Sequence, residues 1–281
     1  MKLAFFGSAE FSVYVLEELK RQNIVPDLII TTPDTPRGRK LVFTPNEVKV
    51  WAEKEKVSYI EFDSLKDGKA LQFLNKEEWD LFLVASYGKI IPKEIFDLPK
   101  RKTLNIHPSL LPKYRGPSPI VSQILNDEEN IGVSIMKIEE GVDTGPIVKQ
   151  APLPFARGGE RGEVEKLLAE EGAKLFAEIL PQWLSGYLQA TPQETSQATF
   201  TKKIEKKDGL LNLEDDARKN FLKVKAYQDW PTSYFFVEKK GKKMRVIVTE
   251  VKIENSELKI LRVIPEGKKE MNYEDFLRGL K

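Results

Sequence analysis

Short apolar runs alternate with helical periodicity through the first half of the chain. Leu3-Ala4-Phe5-Phe6 is a wholly apolar run closed by Gly7, the pattern of a buried strand and a tight turn. Phe11, Val15 and Leu19 then recur at every fourth position with Leu16 beside them, which is one face of a helix. Leu28-Ile29-Ile30 predicts a second strand, Val48, Trp51 and Ala52 a second helix, and residues 59–62 a third strand. Residues 81–84, Leu-Phe-Leu-Val, form the clearest buried strand, and Thr103-Leu104-Asn105-Ile106 another. Repeated βα units with apolar strands predict an α/β fold, a doubly wound and mainly parallel sheet covered on both faces.

From Val133 the pattern changes. Val133, Ile135 and Ile138 bracket Ser134 and Lys137 as in a later strand. Residues 163–186 predict a long amphipathic helix whose apolar face runs from Val164 through Phe176 to Leu184. The polar stretch 189–203, with Thr191, Pro192, Thr195 and Thr199, reads as a linker. Beyond it, 234–237, 244–251 and 258–264 are β-rich runs split by charged turns. The expected organisation is a first domain over 1–187, a linker over 188–204 and a small β domain over 205–281.

Charge separates these parts. Residues 205–281 carry 18 Lys/Arg against 14 Asp/Glu, a net of +4, and residues 1–204 carry 27 against 29, a net of −2. The whole chain is near neutral at +2, so any nucleic-acid site has to be a local patch. The absence of Cys removes disulfide scaffolds, Cys-ligated zinc, iron–sulfur clusters and thiol catalysis, and a single His removes multi-histidine metal sites. No metal site is expected. No apolar run approaches the roughly 20 residues of a membrane span, and the apolar start is too short for a secretion signal. A soluble, cytoplasmic, monomeric protein is the expectation.

The one histidine, His107, lies at the end of a predicted strand, where open parallel sheets bind ligands. Asn105 is two residues before it and therefore points to the same side. An amide donor beside an imidazole can stabilise an oxyanion, move a proton, or do both. By themselves the two residues serve equally well to finish a strand. Asp143, in Gly141-Val142-Asp143-Thr144-Gly145, can pair with His107 and orient its ring, or be an ordinary turn aspartate. Gly7-Ser8-Ala9-Glu10 follows the first strand without the Gly-x-Gly-x-x-Gly fingerprint, and no Walker lysine loop occurs, which disfavours nicotinamide and ATP chemistry.

Taken together, these motifs resemble those of the formyltransferases that use 10-formyltetrahydrofolate. Asn105-Ile106-His107-Pro108-Ser109-Leu110-Leu111-Pro112, followed by Asp143 in its Gly-x-Asp-Thr-Gly turn, is similar to that family's signature. The resemblance implies a formyltransferase-type Rossmann-like domain, the catalytic triad Asn105, His107 and Asp143, and 10-formyltetrahydrofolate as co-substrate. It implies that Ser86, Tyr87, Gly88, Lys89, Ile90, Ile91 and Pro92, with Ser109, Leu110, Leu111 and Pro112, bind the folate. The stretch from Tyr114 to Ile120 resembles the acceptor site, with Arg115 and Gly116 as contacts.

Arg37, Gly38, Arg39 and Lys40, behind Pro36, resemble the basic loop of the branch that formylates methionyl initiator tRNA. Such a loop can reach phosphates; without the resemblance it would pass for a solvated turn. Lys207-Asp208-Gly209 and Trp230-Pro231-Thr232-Ser233-Tyr234 resemble that branch's OB-like β-barrel, here the expected tRNA-binding domain. Gly7-Ser8-Ala9 stands where the family more often has Gly-Thr-Pro, and the barrel is shorter than usual. The implied activity is formyl transfer to methionyl initiator tRNA in translation initiation. The alternative within the same chemistry is an N-formyltransferase acting on an amino-sugar nucleotide.

Overall fold

The computed structural model describes residues 1–37, 41–154, 158–239 and 241–280, with Arg37 described in its backbone only. The chain begins with β1 (Leu3–Phe6), α1 (Glu10–Arg21) and β2 (Leu28–Thr31), then a hairpin of β3 (Thr35–Arg37) and β4 (Val42–Thr44). There follow α2 (Glu47–Glu55), β5 (Tyr59–Glu61), α3 (Lys69–Leu74), β6 (Leu81–Val84), α4 (Lys93–Phe96) and β7 (Thr103–His107). Next come α5 (Pro119–Leu125), β8 (Asn130–Lys137), β9 (Ile147–Pro154) and α6 (Arg161–Ser185). The remainder is α7 (Ala217–Ala226), β10 (Ser233–Lys239), β11 (Lys242–Glu254), β12 (Glu257–Pro265), β13 (Met271–Asn272) and α8 (Tyr273–Arg278).

The chain forms two compact units, each drawing on separated stretches. The first comprises 1–116, 132–153 and 165–200, and the second 117–131, 154–164 and 201–281. The 188–204 stretch, read as a linker, is largely built into the first unit. Thr191 and Ile147 exchange two backbone hydrogen bonds of 2.8 Å, and Arg115 N donates to the Thr199 carbonyl at 2.9 Å.

The central sheet has the strand order β5-β2-β1-β6-β7-β8-β9. β5, β2, β1, β6 and β7 pair in parallel, and β8 runs antiparallel to β7. The expected doubly wound, mainly parallel sheet is therefore present, with an antiparallel turn at β8. β1, β2 and β6 are buried along their whole length, as their uninterrupted apolar sequences require. One face carries Ala4, Phe6, Ile30, Phe82 and Val84, packed with Leu74, Trp79 and Ile95. The chain leaves β1 toward β2 and β5, then returns to place β6 on β1's other side. That reversal is a topological switch point, the place where open α/β sheets bind ligands beyond the strands' carboxyl ends.

Helix α6 lies against β7. A Cβ at Gly172 would meet the Ile106 side chain at 2.5 Å, so this glycine lets helix and strand touch. Ile106 faces α6, and Asn105 and His107 on either side of it project the other way.

The second unit contains an antiparallel sheet of order β10-β11-β12-β13, each strand paired with the next in sequence. The register slips between Val248 and Val251, a bulge that bends β11. Leu211, Val224, Phe235, Val246, Val263 and Phe276 fill its core. Arg218 on α7 makes a bidentate pair with Asp127 at 2.9 and 2.6 Å, which fastens the 117–131 stretch to this unit. Among the described residues no helix is long and apolar enough to cross a membrane.

Candidate active site

His107 ends β7 only 4% exposed, so its ring has to find partners inside the protein. Nε2 lies 3.0 Å from the Tyr114 carbonyl oxygen. A carbonyl only accepts, so Nε2 carries a hydrogen and donates it. Nδ1 faces Asp143 Oδ2 at 3.7 Å, an ion-pair separation too long for a hydrogen bond. The expected pairing of His107 with Asp143 is thus electrostatic, and Tyr114 supplies the directional bond that orients the ring.

Asp143 is held by the backbone around it. Its Oδ2 accepts the Gly116 N–H at 2.7 Å, and its φ is +53°, in the left-handed region. Gly145, two residues on, has no room for a side chain: a Cβ there would sit 1.8 Å from the Lys137 carbonyl. Gly116 therefore reaches the site through Asp143. The Asn105 side chain is half-buried and makes no hydrogen bond to the described residues, so its amide is available to a substrate.

The loop after β7 is tied to β8 and β9. Ser134 Oγ donates to the Ser109 carbonyl at 2.6 Å and accepts the Leu111 N–H at 3.0 Å. Gln150 Nε2 donates to the Leu111 carbonyl at 2.9 Å, and Ser109 Oγ to the Lys113 carbonyl at 2.7 Å. Ser109 and Leu111 are buried and Leu110 and Pro112 are less so. The polar atoms of Ser109 and Leu111 shape the loop. Arg115 is 2% exposed and its guanidinium donates to Gln193 Oε1 at 3.0 and 2.7 Å. In this position it organises the site's wall.

The loop after β6 flanks the switch point. Ser86 has a φ of +49°, and Ser8, from the turn after β1, donates through Oγ to the Ser86 carbonyl at 3.3 Å and accepts the Gly88 N–H at 3.4 Å. Lys89 Nζ donates to the Asp63 carbonyl. Ile90 is exposed, whereas Ile91 packs on the core below. Tyr87 stands edge-on to Phe6 with its hydroxyl buried and unpartnered among the described residues. Burial pushes that hydroxyl's pKa up to about 12.

Of the expected basic loop, Gly38, Arg39 and Lys40 lie outside the described residues, and Arg37 is seen in backbone only, at the end of β3. Residues just before β3 are tied to α2 and β5. Lys49 donates to Asp34 at 2.8 Å and lies within 3.3 Å of Glu61, and Asp34 above all holds its ammonium charged well above the usual lysine range. No group of three or more His, Cys, Asp or Glu able to hold a metal occurs among the described residues. Gln193, Thr199, Ser134 and Gln150 are site-building residues that no motif announced.

At the end of β7 the structure thus sets an amide without a hydrogen-bond partner among the described residues beside an anchored imidazole and a carboxylate, groups that can hold an oxyanion and move a proton. The Formyl transferase family model matches residues 1–180, and the chain belongs to that family. The chain is 33% identical over 302 residues to methionyl-tRNA formyltransferase of Halalkalibacterium halodurans, covering 99% of this chain and 95% of that protein. In fold it is similar to methionyl-tRNA formyltransferase from Clostridium thermocellum, with a TM-score of 0.62 and 16% identity over 97% of this chain and 99% of the other. It is also similar in fold to HypX from Aquifex aeolicus in complex with tetrahydrofolic acid, with a TM-score of 0.63 and 16% identity over 99% of this chain. This chain spans about half of HypX, 47% of its length.

Proposed function

We propose that this enzyme transfers the formyl group of 10-formyltetrahydrofolate to the α-amine of methionine on initiator tRNA. The observation that carries the reading is the convergence of Asn105, His107 and Asp143 at the end of β7, in a chain similar over nearly its whole length to methionyl-tRNA formyltransferases. The folate belongs at the switch point between the loops after β1 and β6, within residues 86–92 and 109–112. Tyr87 fits that role, because its buried hydroxyl has no partner among the described residues and can serve a ligand.

In the reaction the neutral amine attacks the formyl carbon, and the carbonyl electrons move onto oxygen. The Asn105 amide donates to that oxyanion, a charge that develops only as the reaction proceeds. The bond to the folate nitrogen breaks, and the proton lost by the amine finishes on that nitrogen. His107 is suited to carry it. Nε2 is fixed on Tyr114, which leaves Nδ1, facing Asp143 at 3.7 Å, as the nitrogen that exchanges a proton. No covalent enzyme intermediate is required.

The acceptor tRNA is held by the basic segment 37–40 and by the second unit, whose 205–281 portion has a net charge of +4. Arg115 acts behind the surface by fixing the wall, and Gly116 acts through Asp143. The test is incubation with 10-formyltetrahydrofolate and charged initiator tRNA, followed by mass spectrometry of the released amino acid. Formylmethionine is expected from the wild type and not from His107→Ala; its absence from both would overturn the reading.

A further inference from the structure

The polar segment 191–200 is hydrogen-bonded to the loops that carry Tyr114 and Asp143, and Gln193 is the residue that touches both. Gln193 Oε1 accepts two hydrogen bonds from Arg115, at 3.0 and 2.7 Å. Its Nε2 uses both hydrogens, donating to the Asp143 carbonyl at 2.9 Å and the Gly145 carbonyl at 2.7 Å. Thus the amide oxygen faces a cation and the amide nitrogen faces two carbonyls. Glutamate would present a second oxygen to those carbonyls, and asparagine is one methylene too short to span them.

The turn held in this way contains backbone of positive φ. Asp143 has left-handed φ, and Gly141 has a φ of +110°. A non-glycine residue in that region costs about 1 kcal/mol or more and persists where its surroundings dictate it. The same segment also fixes the other side of the imidazole. Thr199 Oγ1 accepts the Tyr114 N–H at 2.8 Å, and the Tyr114 carbonyl is the acceptor for His107 Nε2. Asp143 on one flank of His107 and Tyr114 on the other are therefore both set by residues 191–199, which lie far from either in sequence.

We infer that Gln193 is a positioning residue for the His107–Asp143 pair, acting through the backbone of the 143–145 turn and through Arg115. It touches no reacting atom. The inference rests on the catalytic assignment of His107 and Asp143 made above.

The sole histidine makes the test direct, because ¹⁵N-histidine labelling yields ring signals from His107 alone. In Gln193→Ala and Gln193→Glu the His107 ring nitrogens are expected to shift or broaden. The kcat should fall about 10–100-fold, as misplacement of a reacting group does, with both KM values within about threefold of wild type. Leu19→Ala, which opens a cavity behind α1, serves as the control: it lowers the melting temperature and leaves the ring signals in place. Should Gln193→Ala not fold, Gln193→Met keeps the volume, removes the donors and carries the same expectation. Ring signals superimposable on wild type in a folded Gln193 variant, or kcat within about twofold of wild type where about 10–100-fold is expected, would overturn the inference. If wild-type enzyme transfers no formyl group, the proposed function fails on its own, and the ring signals still decide the role of Gln193.

Discussion

His107 Nδ1 and Asp143 Oδ2 face one another at 3.7 Å without a hydrogen bond, while each residue is anchored elsewhere, His107 on the Tyr114 carbonyl and Asp143 on the Gly116 N–H. The pair is thus held apart at a separation where charge attraction acts and proton transfer is not locked into a closed bond. This arrangement differs from a carboxylate that grips its imidazole directly, and it makes the surrounding backbone responsible for the geometry.

Removing either group should abolish turnover and spare the fold. Asparagine at 143 keeps an oxygen for the Gly116 N–H and tolerates the left-handed backbone, so Asp143→Asn tests charge alone. The expected fall in kcat for His107→Ala or Asp143→Asn is about 10²–10³-fold, the scale of a missing transition-state stabiliser. Steady-state kinetics beside a thermal melt makes the measurement. Retention of more than about a tenth of wild-type turnover would remove the residue from the mechanism.

Gly145→Ala probes the turn itself. The new methyl group would overlap the Lys137 carbonyl, which is backbone and cannot rotate away. A loss of about 1–3 kcal/mol in stability is expected, as for overpacking elsewhere. Denaturant unfolding of the variant reads it, and an unchanged midpoint would show that the turn yields.

Much of this architecture is legible in the sequence, and the reason is burial. β1, β2 and β6 are apolar throughout because both of their faces are covered, and α1 shows its buried stripe of Phe11, Val15, Leu16 and Leu19 plainly. His107 stands out as the only imidazole and as the last residue of a strand. Other elements are hidden by their polar neighbours. In α7, Lys219, Lys223 and Lys225 interrupt the buried face formed by Leu222 and Val224. β9 alternates Val148 with Lys149 and Gln150, and so resembles a loop. The segment 191–200 reads as a linker because it buries no hydrophobic stripe; its order comes from hydrogen bonds to Tyr114, Arg115, Asp143 and Ile147, and no local pattern records such distant partners. The side chain of Gln193 is silent in the sequence for the same reason.

Tyr87→Phe separates ligand binding from stability. A buried hydroxyl without a partner contributes nothing to the fold, so its removal should leave the melting temperature at neutral pH unchanged or higher. Binding of a folate analogue, followed by calorimetry, should weaken about threefold to tenfold, the value of one hydrogen bond. Equal affinity would place the ligand elsewhere.

Alkaline pH gives the same residue a second signature. With its pKa raised by burial from the ordinary 10 to about 12, Tyr87 ionises in the unfolded chain before it does in the folded one. The hydroxyl therefore costs no ionisation penalty below pH 10 and destabilises the fold progressively as the pH rises from 10 toward 12. Melts of wild type and Tyr87→Phe across that window should diverge, the variant losing less stability. Parallel curves would mean that the hydroxyl is not buried.

The segment 37–40 should act on tRNA and on nothing else. Replacing Arg37, Arg39 and Lys40 together with alanine should raise the KM for charged tRNA and leave folate-analogue binding intact. The slope of log affinity against log salt should become shallower by about one for each tRNA phosphate that the variant no longer neutralises. Superimposable slopes, with unchanged KM, would reduce the segment to a surface turn.

The central claim is that this site formylates the amine of methionyl initiator tRNA, and one assay tests it most directly. Radiolabelled 10-formyltetrahydrofolate is supplied with charged initiator tRNA in one reaction and with an amino-sugar nucleotide in another, and initial rates of label transfer are compared. Label is expected in the tRNA product and not in the sugar, and in neither with His107→Ala. Transfer to the amino sugar with none to the tRNA would contradict the assignment of the acceptor while leaving the formyl chemistry in place.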